Sequence, residues 1–197
     1  MAIEDKERWD KKYINNHPIP SKVPDVVEKY CLLSKGKKAL DIACGTGRNA
    51  KFLASKGFEV DALDISPVAL NSLKGIKNIN TKEVDFDNYT LKENAYDLIV
   101  CTYYLNRSLF PQIEKALKED GLFIFETFMH HPDNTKVPSN RSFLLEDGEL
   151  ELTFDERYEI LHLKDFMDEI IFGDKAMKAS MVARKKHGGI SNKDFWA

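Results

Sequence analysis

Short apolar runs alternate with stretches of helical spacing along most of the chain. Five of these runs are bounded by glycine or polar residues and predict β-strands, over residues 39–43, 59–65, 81–86, 96–103 and 122–128. The stretches around them predict helices, over residues 4–13, 21–33, 47–55 and 107–118, with one more that starts at Pro67 behind a Ser66 cap. This alternation predicts an α/β fold with a parallel, doubly wound sheet and right-handed crossovers.

The end of the chain departs from this alternation. Residues 158–170 and 176–186 have strand patterns, and the tight turn F-G-D-K lies between them. They predict an antiparallel hairpin, which is unlike the plan of dinucleotide-binding domains. We therefore expect a Rossmann-like, mostly parallel, seven-stranded sheet with a C-terminal antiparallel hairpin. It would form one domain over residues 1–197, with a tail at 187–197.

Composition adds little to the prediction of the fold, but it argues against several kinds of binding partner. Hydrophobic residues make up 43% and charged residues 31% of the 197 residues, which is typical of a globular domain. The net charge of −3 and the pI of about 6.0 provide no overall positive field, so neither nucleic acid nor membrane is an expected partner. The chain opens without a signal-peptide pattern, and no apolar run approaches the roughly 18 residues of a membrane span. Three cysteines without a C-x-x-C pair fit a reducing compartment, and we expect a cytoplasmic monomer or homodimer.

The loop after the first predicted strand carries the main chemical signal. It reads L-D-I-A-C-G-T-G-R-N-A over residues 40–50, and Gly45, Gly47 and Ala50 satisfy the pattern G-x-G-x-x-G/A. Asp64 lies 19 residues beyond Gly45, at the end of the next strand, where an acid accepts hydrogen bonds from ribose hydroxyls. These two features by themselves allow a nicotinamide cofactor.

Asp41 discriminates between the possible ligands. A carboxylate four residues before Gly45 repels a pyrophosphate by several kcal/mol at an effective dielectric constant of about 20. It suits a cation instead. S-adenosylmethionine carries an ammonium group, a sulfonium and an adenosine, so it fits this loop better than a dinucleotide does.

From about residue 40 to residue 185, the order of motifs resembles the class I S-adenosylmethionine-dependent methyltransferases. D-I-A-C-G-T-G is similar to their first motif, with Ala43 in place of its first glycine, and this alanine indicates that the backbone there need not adopt a positive φ. V-D-A-L-D-I-S, V-D-F-D-N and Y-D-L-I-V-C-T-Y-Y are similar to the second, third and fourth motifs. Together, the loop and the resemblance indicate S-adenosyl-L-methionine as cofactor, with contacts from Asp41, Ala43, Gly45, Gly47, Arg48, Asn49, Asp64, Ile65, Asp85, Phe86, Cys101 and Thr102.

The resemblance also implies individual roles. Asp64 would bind the ribose, Asp85 and the N–H of Phe86 the adenine, and Cys101 and Thr102 would lie beside the methionine part. The alternatives are structural, because a strand-end aspartate is often only a helix cap or a boundary residue.

The opening E-R-W-D-K-K-Y resembles the start of small members of this family, whose N-terminal helix covers the cofactor. Residues 1–17 are therefore predicted to form a lid. Trp9 and Tyr13 lie four residues apart and share a helical face, so they either dock the helix on the core or close on the sulfonium.

Acceptor contacts are expected beyond the carboxyl ends of the fourth and fifth strands. Tyr103, Tyr104, Arg107 and His130 are the candidate catalytic residues, with ordinary packing or surface solvation as the alternative for each. His130 and His131 are adjacent on an extended chain and point to opposite faces, so no metal site is predicted.

The absence of motifs for other substrate classes favours a small-molecule methyl acceptor with a sulfur, oxygen or chalcogen-oxyanion nucleophile. The fourth motif lacks the N/D-P-P-Y sequence of enzymes that methylate amide or adenine nitrogens. The chain also has no Pro-Cys dipeptide to supply the nucleophile for methylation of cytosine C5. In size, glycine loop and W-D-x-x-Y opening, the chain resembles the tellurite-resistance-type methyltransferases. A nicotinamide-linked oxidoreductase and a non-catalytic, cofactor-binding subunit of a larger complex remain the alternatives.

Overall fold

Seven strands form one mixed sheet in the computed structural model, which describes residues 2–15, 21–169 and 174–187. The strands are β1 (Lys38–Ile42), β2 (Glu59–Asp64), β3 (Ile79–Glu83), β4 (Tyr96–Thr102), β5 (Leu117–Phe128), β6 (Tyr158–Glu169) and β7 (Lys175–Lys185). Their order across the sheet is β3-β2-β1-β4-β5-β7-β6. The first five are parallel, and β7 pairs antiparallel with both β5 and β6. The predicted mostly parallel sheet with an antiparallel hairpin is confirmed.

Helices connect the strands and cover the sheet. They are α1 (Ala2–Ile14), α2 (Asp25–Tyr30), α3 (Arg48–Ser55), α4 (Pro67–Asn71), α5 (Phe110–Ala116) and α6 (Glu149–Thr153), with 3-10 turns at Cys31–Leu33, Arg107–Leu109 and Arg141–Phe143. None of the helices in the described ranges is both long and apolar enough to cross a membrane.

The buried core lies on both faces of the sheet. Successive side chains of β4 alternate between two apolar clusters, with Leu98 and Val100 in one and Ile99 and Cys101 in the other. A strand that is covered on both faces must be apolar throughout, which is why β4 was recognisable from its sequence.

Several predicted boundaries are wrong, and each has a local cause. The third strand ends at Glu83 instead of residue 86, because β3 is an edge strand and stops where β2, its one partner among the described residues, ends at the pair Asp64↔Glu83. The fifth strand begins at Leu117 instead of residue 122, because Leu117 already pairs with Tyr96 of β4. The polar residues that follow Leu117 conceal this first section in the sequence pattern.

Two helix predictions also need correction. α2 begins at Asp25 instead of residue 21, with Pro24 at its N-cap and no side-chain cap. The predicted helix over 107–118 is a 3-10 turn followed by the shorter α5. The F-G-D-K turn, the tail after residue 187 and positions 16 and 17 of the predicted lid lie wholly or partly outside the described residues.

Candidate functional site

The carboxyl ends of β1, β2, β4 and β5 meet at one edge of the sheet, and the glycine loop lies there between β1 and α3. Gly45 and Gly47 have φ values of 55° and 77°, in the left-handed region that favours glycine. A Cβ on Gly47 would lie 2.3 Å from a methyl carbon of the buried Leu73, so close packing as well as backbone conformation requires glycine there.

Ala43 adopts a backbone conformation that its side chain disfavours. Its φ is 52°, so the backbone does have a positive φ here, although the alanine indicates that none is needed. The left-handed region costs a residue with a Cβ about 1–2 kcal/mol. The hydrogen bond from the Cys44 N–H to the Leu63 carbonyl, 3.0 Å long, is among the contacts that hold the loop in this shape.

Asp41 is the most deeply buried acid at this edge, with 1% of its surface exposed. Its Oδ2 accepts a hydrogen bond from the Ala50 N–H at 3.0 Å, and its Oδ1 is buried without a hydrogen-bond partner in the described chain. Burial raises the pKa of Asp41 to about 7, although the Ala50 N–H and the nearby Asn49 side chain oppose the shift. A cationic donor beside Oδ1 would supply the partner that the fold leaves out.

Asp64 holds the glycine loop to the end of β2. It is 6% exposed, and its two oxygens accept hydrogen bonds from the N–H groups of Gly45 (2.7 Å) and Ser66 (2.9 Å). Burial raises its pKa, and these backbone hydrogen bonds oppose the shift. Each carboxylate oxygen can accept a second hydrogen bond, so this arrangement still suits a ligand with two hydroxyl groups. Ile65, the next residue, is half-buried.

The first turn of α3 is tied to the end of β4. Asn49 donates from Nδ2 to the Thr102 hydroxyl at 2.9 Å, and Arg48 donates to the same oxygen at 3.4 Å. The Asn49 Oδ1 is a second buried acceptor without a described partner. Cys101 is buried in the core, where burial raises its pKa, and its thiol donates to the carbonyl of Tyr104.

Asp85 and Phe86 lie just beyond β3. The carboxylate of Asp85 accepts hydrogen bonds from the Asp87 N–H (3.0 Å) and the Asn88 side chain (2.7 Å), so it supports a local turn. Phe86 is buried and packs against the ring of Tyr104, with 5.6 Å between centroids. Their adenine contacts remain a prediction.

Helix α1 lies against the glycine loop and α4. The rings of Trp9 and Tyr13 stack with 5.9 Å between centroids, as their spacing predicted. The hydroxyl of Tyr13 lies 2.7 Å from the position that a Cβ on Gly45 would occupy. Asp10 accepts a hydrogen bond from the Ser66 hydroxyl, which fastens α1 to the start of α4. Burial raises the pKa of Tyr13, and the charge of Asp64 adds to the shift.

Tyr103 is the centre of a charged cluster that the sequence did not predict. Its hydroxyl donates to Glu126 Oε1 at 2.5 Å and accepts from Lys178 Nζ at 3.0 Å. Lys178 also pairs with Asp168 at 2.6 Å, and the Arg48 guanidinium lies 4.8 Å from the centre of the Tyr103 ring. The sequence does contain a feature that points to this cluster, because Glu126 and Lys178 are charged residues inside apolar strands.

Arg107 and His130 make their hydrogen bonds in a different group. Arg107 binds Glu149 in a bidentate pair and donates to the carbonyls of Ser142 and Leu144, so it fastens the segment before α6. His130 is exposed, with its Nε2 3.3 Å from Arg141. The structure therefore brings Tyr103, but neither of these two candidates, into the cluster of charges. Tyr104 lies outside this cluster, with its ring against Phe86 and its hydroxyl 3.5 Å from the Asn106 side chain, and burial raises its pKa to about 12.

In the described part of the chain, no group of three or more histidine, cysteine or acidic side chains is arranged to hold a metal ion. The three cysteines are buried and unpaired. Burial raises the pKa of Cys44 well above its ordinary value, which disfavours the reactive thiolate form.

Comparison with known families matches residues 1–178 to the family model described as "Tellurite resistance protein TehB". A curated relative from Haemophilus influenzae, named a probable S-adenosyl-L-methionine-dependent methyltransferase TehB, is 31% identical over 179 residues. The match covers 82% of this chain and 62% of the relative, so the chain spans about three fifths of that protein's length. A putative methyltransferase from a Geobacillus species is 28% identical over 141 residues, which is 64% of this chain and 57% of that protein.

Solved structures agree with these matches. The crystal structure of TehB from Haemophilus influenzae superposes with a TM-score of 0.73 at 26% identity, over 90% of this chain and 67% of that one. A 1,6-didemethyltoxoflavin-N1-methyltransferase from Burkholderia thailandensis, solved with S-adenosylhomocysteine, has a TM-score of 0.70 at 16% identity, over 94% and 89% of the two chains. The second likeness shows the fold alone.

Proposed function

This chain belongs to the tellurite resistance protein TehB family, and we propose that it is an S-adenosyl-L-methionine-dependent methyltransferase that acts on a small-molecule nucleophile. The observation that carries the proposal is the unpartnered Oδ1 of Asp41 beside the loop of Gly45 and Gly47. A buried carboxylate oxygen without a donor calls for a cationic ligand, and the cofactor's ammonium group has that chemistry.

Each remaining part of the site has a matching part of the cofactor. Asp64 would accept the ribose hydroxyls, Ile65 would flank the adenine, and Asp85 with the N–H of Phe86 would hydrogen-bond to the adenine. Thr102 with Asn49 would face the methionine part. Trp9 and Tyr13 would cover the sulfonium and exclude water, because α1 already lies over the glycine loop. When bound, S-adenosyl-L-methionine supplies an electrophilic methyl group and leaves as a neutral thioether that keeps the electron pair of the broken bond.

The acceptor is proposed to be a sulfur, oxygen or chalcogen-oxyanion nucleophile that binds beside Tyr103 and Tyr104. The family's description as tellurite resistance favours the chalcogen oxyanion. Arg48 and Lys178 lie beside the ring of Tyr103, and the carboxylates of Glu126 and Asp168 balance their charges, which suits a polar acceptor. The buried, unpaired thiols fit a reducing, cytoplasmic setting.

Calorimetry with two ligands tests the cofactor. We expect S-adenosylhomocysteine to bind the purified protein with micromolar affinity, and NAD to give no heat at the same concentrations, because its pyrophosphate would meet the buried Asp41. Micromolar binding of NAD without binding of S-adenosylhomocysteine would overturn the proposal.

Asp64→Ala is expected to weaken binding of S-adenosylhomocysteine by about 1–3 kcal/mol, because charge-assisted hydrogen bonds to the ribose are lost. The measurement is calorimetry at a temperature where circular dichroism shows the variant folded. Asp61→Ala is the matched control, since Asp61 lies on the same strand but pairs with Lys38 and Tyr96 away from the loop. Equal affinity of wild type and Asp64→Ala removes Asp64 from the site.

A further inference from the structure

Glu126 and Lys178 are buried charged residues at the edge of the sheet that carries the glycine loop. They are 5% and 6% exposed, and they lie on β5 and β7. Thr102, the last residue of β4, is in register with Glu126, so the cluster begins where β4 ends. Burying a charge costs several kcal/mol unless it is paired, and a fold whose only need was stability would have an apolar side chain there.

Tyr103 is held in a costly conformation by this cluster. Its φ is 61°, which is uncommon for a bulky residue and costs about 1–2 kcal/mol. Two hydrogen bonds to Glu126 keep it there, one from the Tyr103 N–H to the backbone carbonyl at 2.8 Å and one from the hydroxyl to Oε1. The strain therefore serves to aim one phenol at one carboxylate.

Lys178 fixes the other side of the same hydroxyl. Its ammonium donates to Tyr103 Oη at 3.0 Å and is itself oriented by Asp168, whose side chain is 43% exposed. With Lys178 donating to this oxygen, the phenol proton is directed to Glu126. Burial raises the pKa of Glu126 above its ordinary value, which makes this carboxylate a better proton acceptor.

We propose that Glu126 is the positioning residue that finally accepts the proton of the methyl acceptor, and that Tyr103 relays this proton. The inference rests on the proposed methyltransferase function. As the lone pair of the acceptor atom forms its new bond to carbon, the acceptor's proton passes to Tyr103 Oη. The proton of Tyr103 passes at the same time to Glu126 Oε1. Glu126 becomes a neutral carboxylic acid, and the reverse relay returns its proton to water after product release.

This relay specifies the class of acceptor. It serves a nucleophile that still carries a proton at working pH, such as a thiol, a selenol or a hydrogen oxyanion. An acceptor that is already ionised needs no relay.

The kinetic test compares Glu126→Gln and Tyr103→Phe with wild type on a series of thiols of graded acidity, from thiophenols, which are largely ionised at neutral pH, to alkanethiols, which still carry their proton. We expect kcat to fall about 100-fold for the least acidic thiols and by less than threefold for the most acidic, with unchanged affinity for S-adenosylhomocysteine. Tyr96→Phe is the matched control, because that phenol donates to Asp61 at the opposite end of β4. A deficit that is the same for every thiol means a merely structural role and overturns the relay.

An NMR titration of the carboxyl carbon of Glu126 tests whether Tyr103 and Glu126 are coupled, and it does not depend on enzyme turnover. In the complex with S-adenosylhomocysteine, we expect Glu126 to titrate above the ordinary range of glutamate, Tyr103→Phe to raise its pKa further, and Tyr96→Phe to leave it unchanged. An ordinary pKa, or no response to Tyr103→Phe, overturns the relay. Failure of the wild type to bind S-adenosylhomocysteine would instead overturn the proposed function, so the two failures are distinguishable.

Discussion

In the ligand-free protein, we expect Asp41 alone to remove about 4 kcal/mol of stability as the pH rises from about 4 to about 7. The pKa of Asp41 is raised from 3.8 to about 7, because the folded protein buries it. Between these two values the folded state holds a proton that the unfolded state has lost. Stability is therefore highest below the unfolded pKa and is lost as the pH rises through the folded pKa.

Asp41→Asn isolates this contribution, because an amide keeps the shape and the acceptor for Ala50 but does not titrate. The measurement is urea unfolding at intervals from pH 4 to pH 8, with the difference between the two proteins taken at each pH. We expect the variant to gain stability relative to wild type as the pH rises. If the free energies of unfolding of the two proteins change in parallel with pH, Asp41 does not titrate in this range.

The same residue links stability to the proposed ligand. An ammonium group beside Oδ1 favours the ionised carboxylate, so binding should lower the pKa of Asp41 and release a proton near pH 6. Calorimetry of S-adenosylhomocysteine in two buffers of different ionisation enthalpy measures that proton. Asp41→Asn should bind more weakly and release none.

Gly47→Ala is expected to destabilise the protein by about 2–4 kcal/mol. The added Cβ would lie 2.3 Å and 2.6 Å from the two methyl carbons of Leu73, which is 0% exposed. Overpacking of this kind costs about 1–3 kcal/mol, and the positive φ of 77° adds about 1 kcal/mol for a residue with a side chain.

Gly57→Ala is the matched control, because Gly57 has a φ of 84° but a Cβ there would meet nothing within 4 Å. It should cost only the backbone term of about 1 kcal/mol. Thermal and urea unfolding of both variants measure the difference. Equal losses would mean that Leu73 moves aside at no cost and that only the backbone requires glycine at 47.

The sequence by itself was enough for the sheet and for the glycine loop. Both depend on local properties: alternation of apolar residues, strand lengths, and glycines between a strand and a helix. Asp41 was recognisable for the same reason, since a carboxylate inside a buried strand needs a partner wherever the rest of the chain lies. Strand ends were less predictable, because β3 stops where β2 stops.

Only the tertiary structure decided what surrounds Tyr103. Lys178 and Tyr103 are 75 residues apart, and they meet because β7 inserts antiparallel beside β5 in one particular register. A shift of one residue would turn Lys178 to the opposite face of the sheet, and no local pattern encodes that register. The same holds for Ala43, whose positive φ is set by the loop's contacts with neighbouring strands. The sequence thus determined the scaffold and its glycine loop, while the pairing of distant strands decided which charges surround Tyr103.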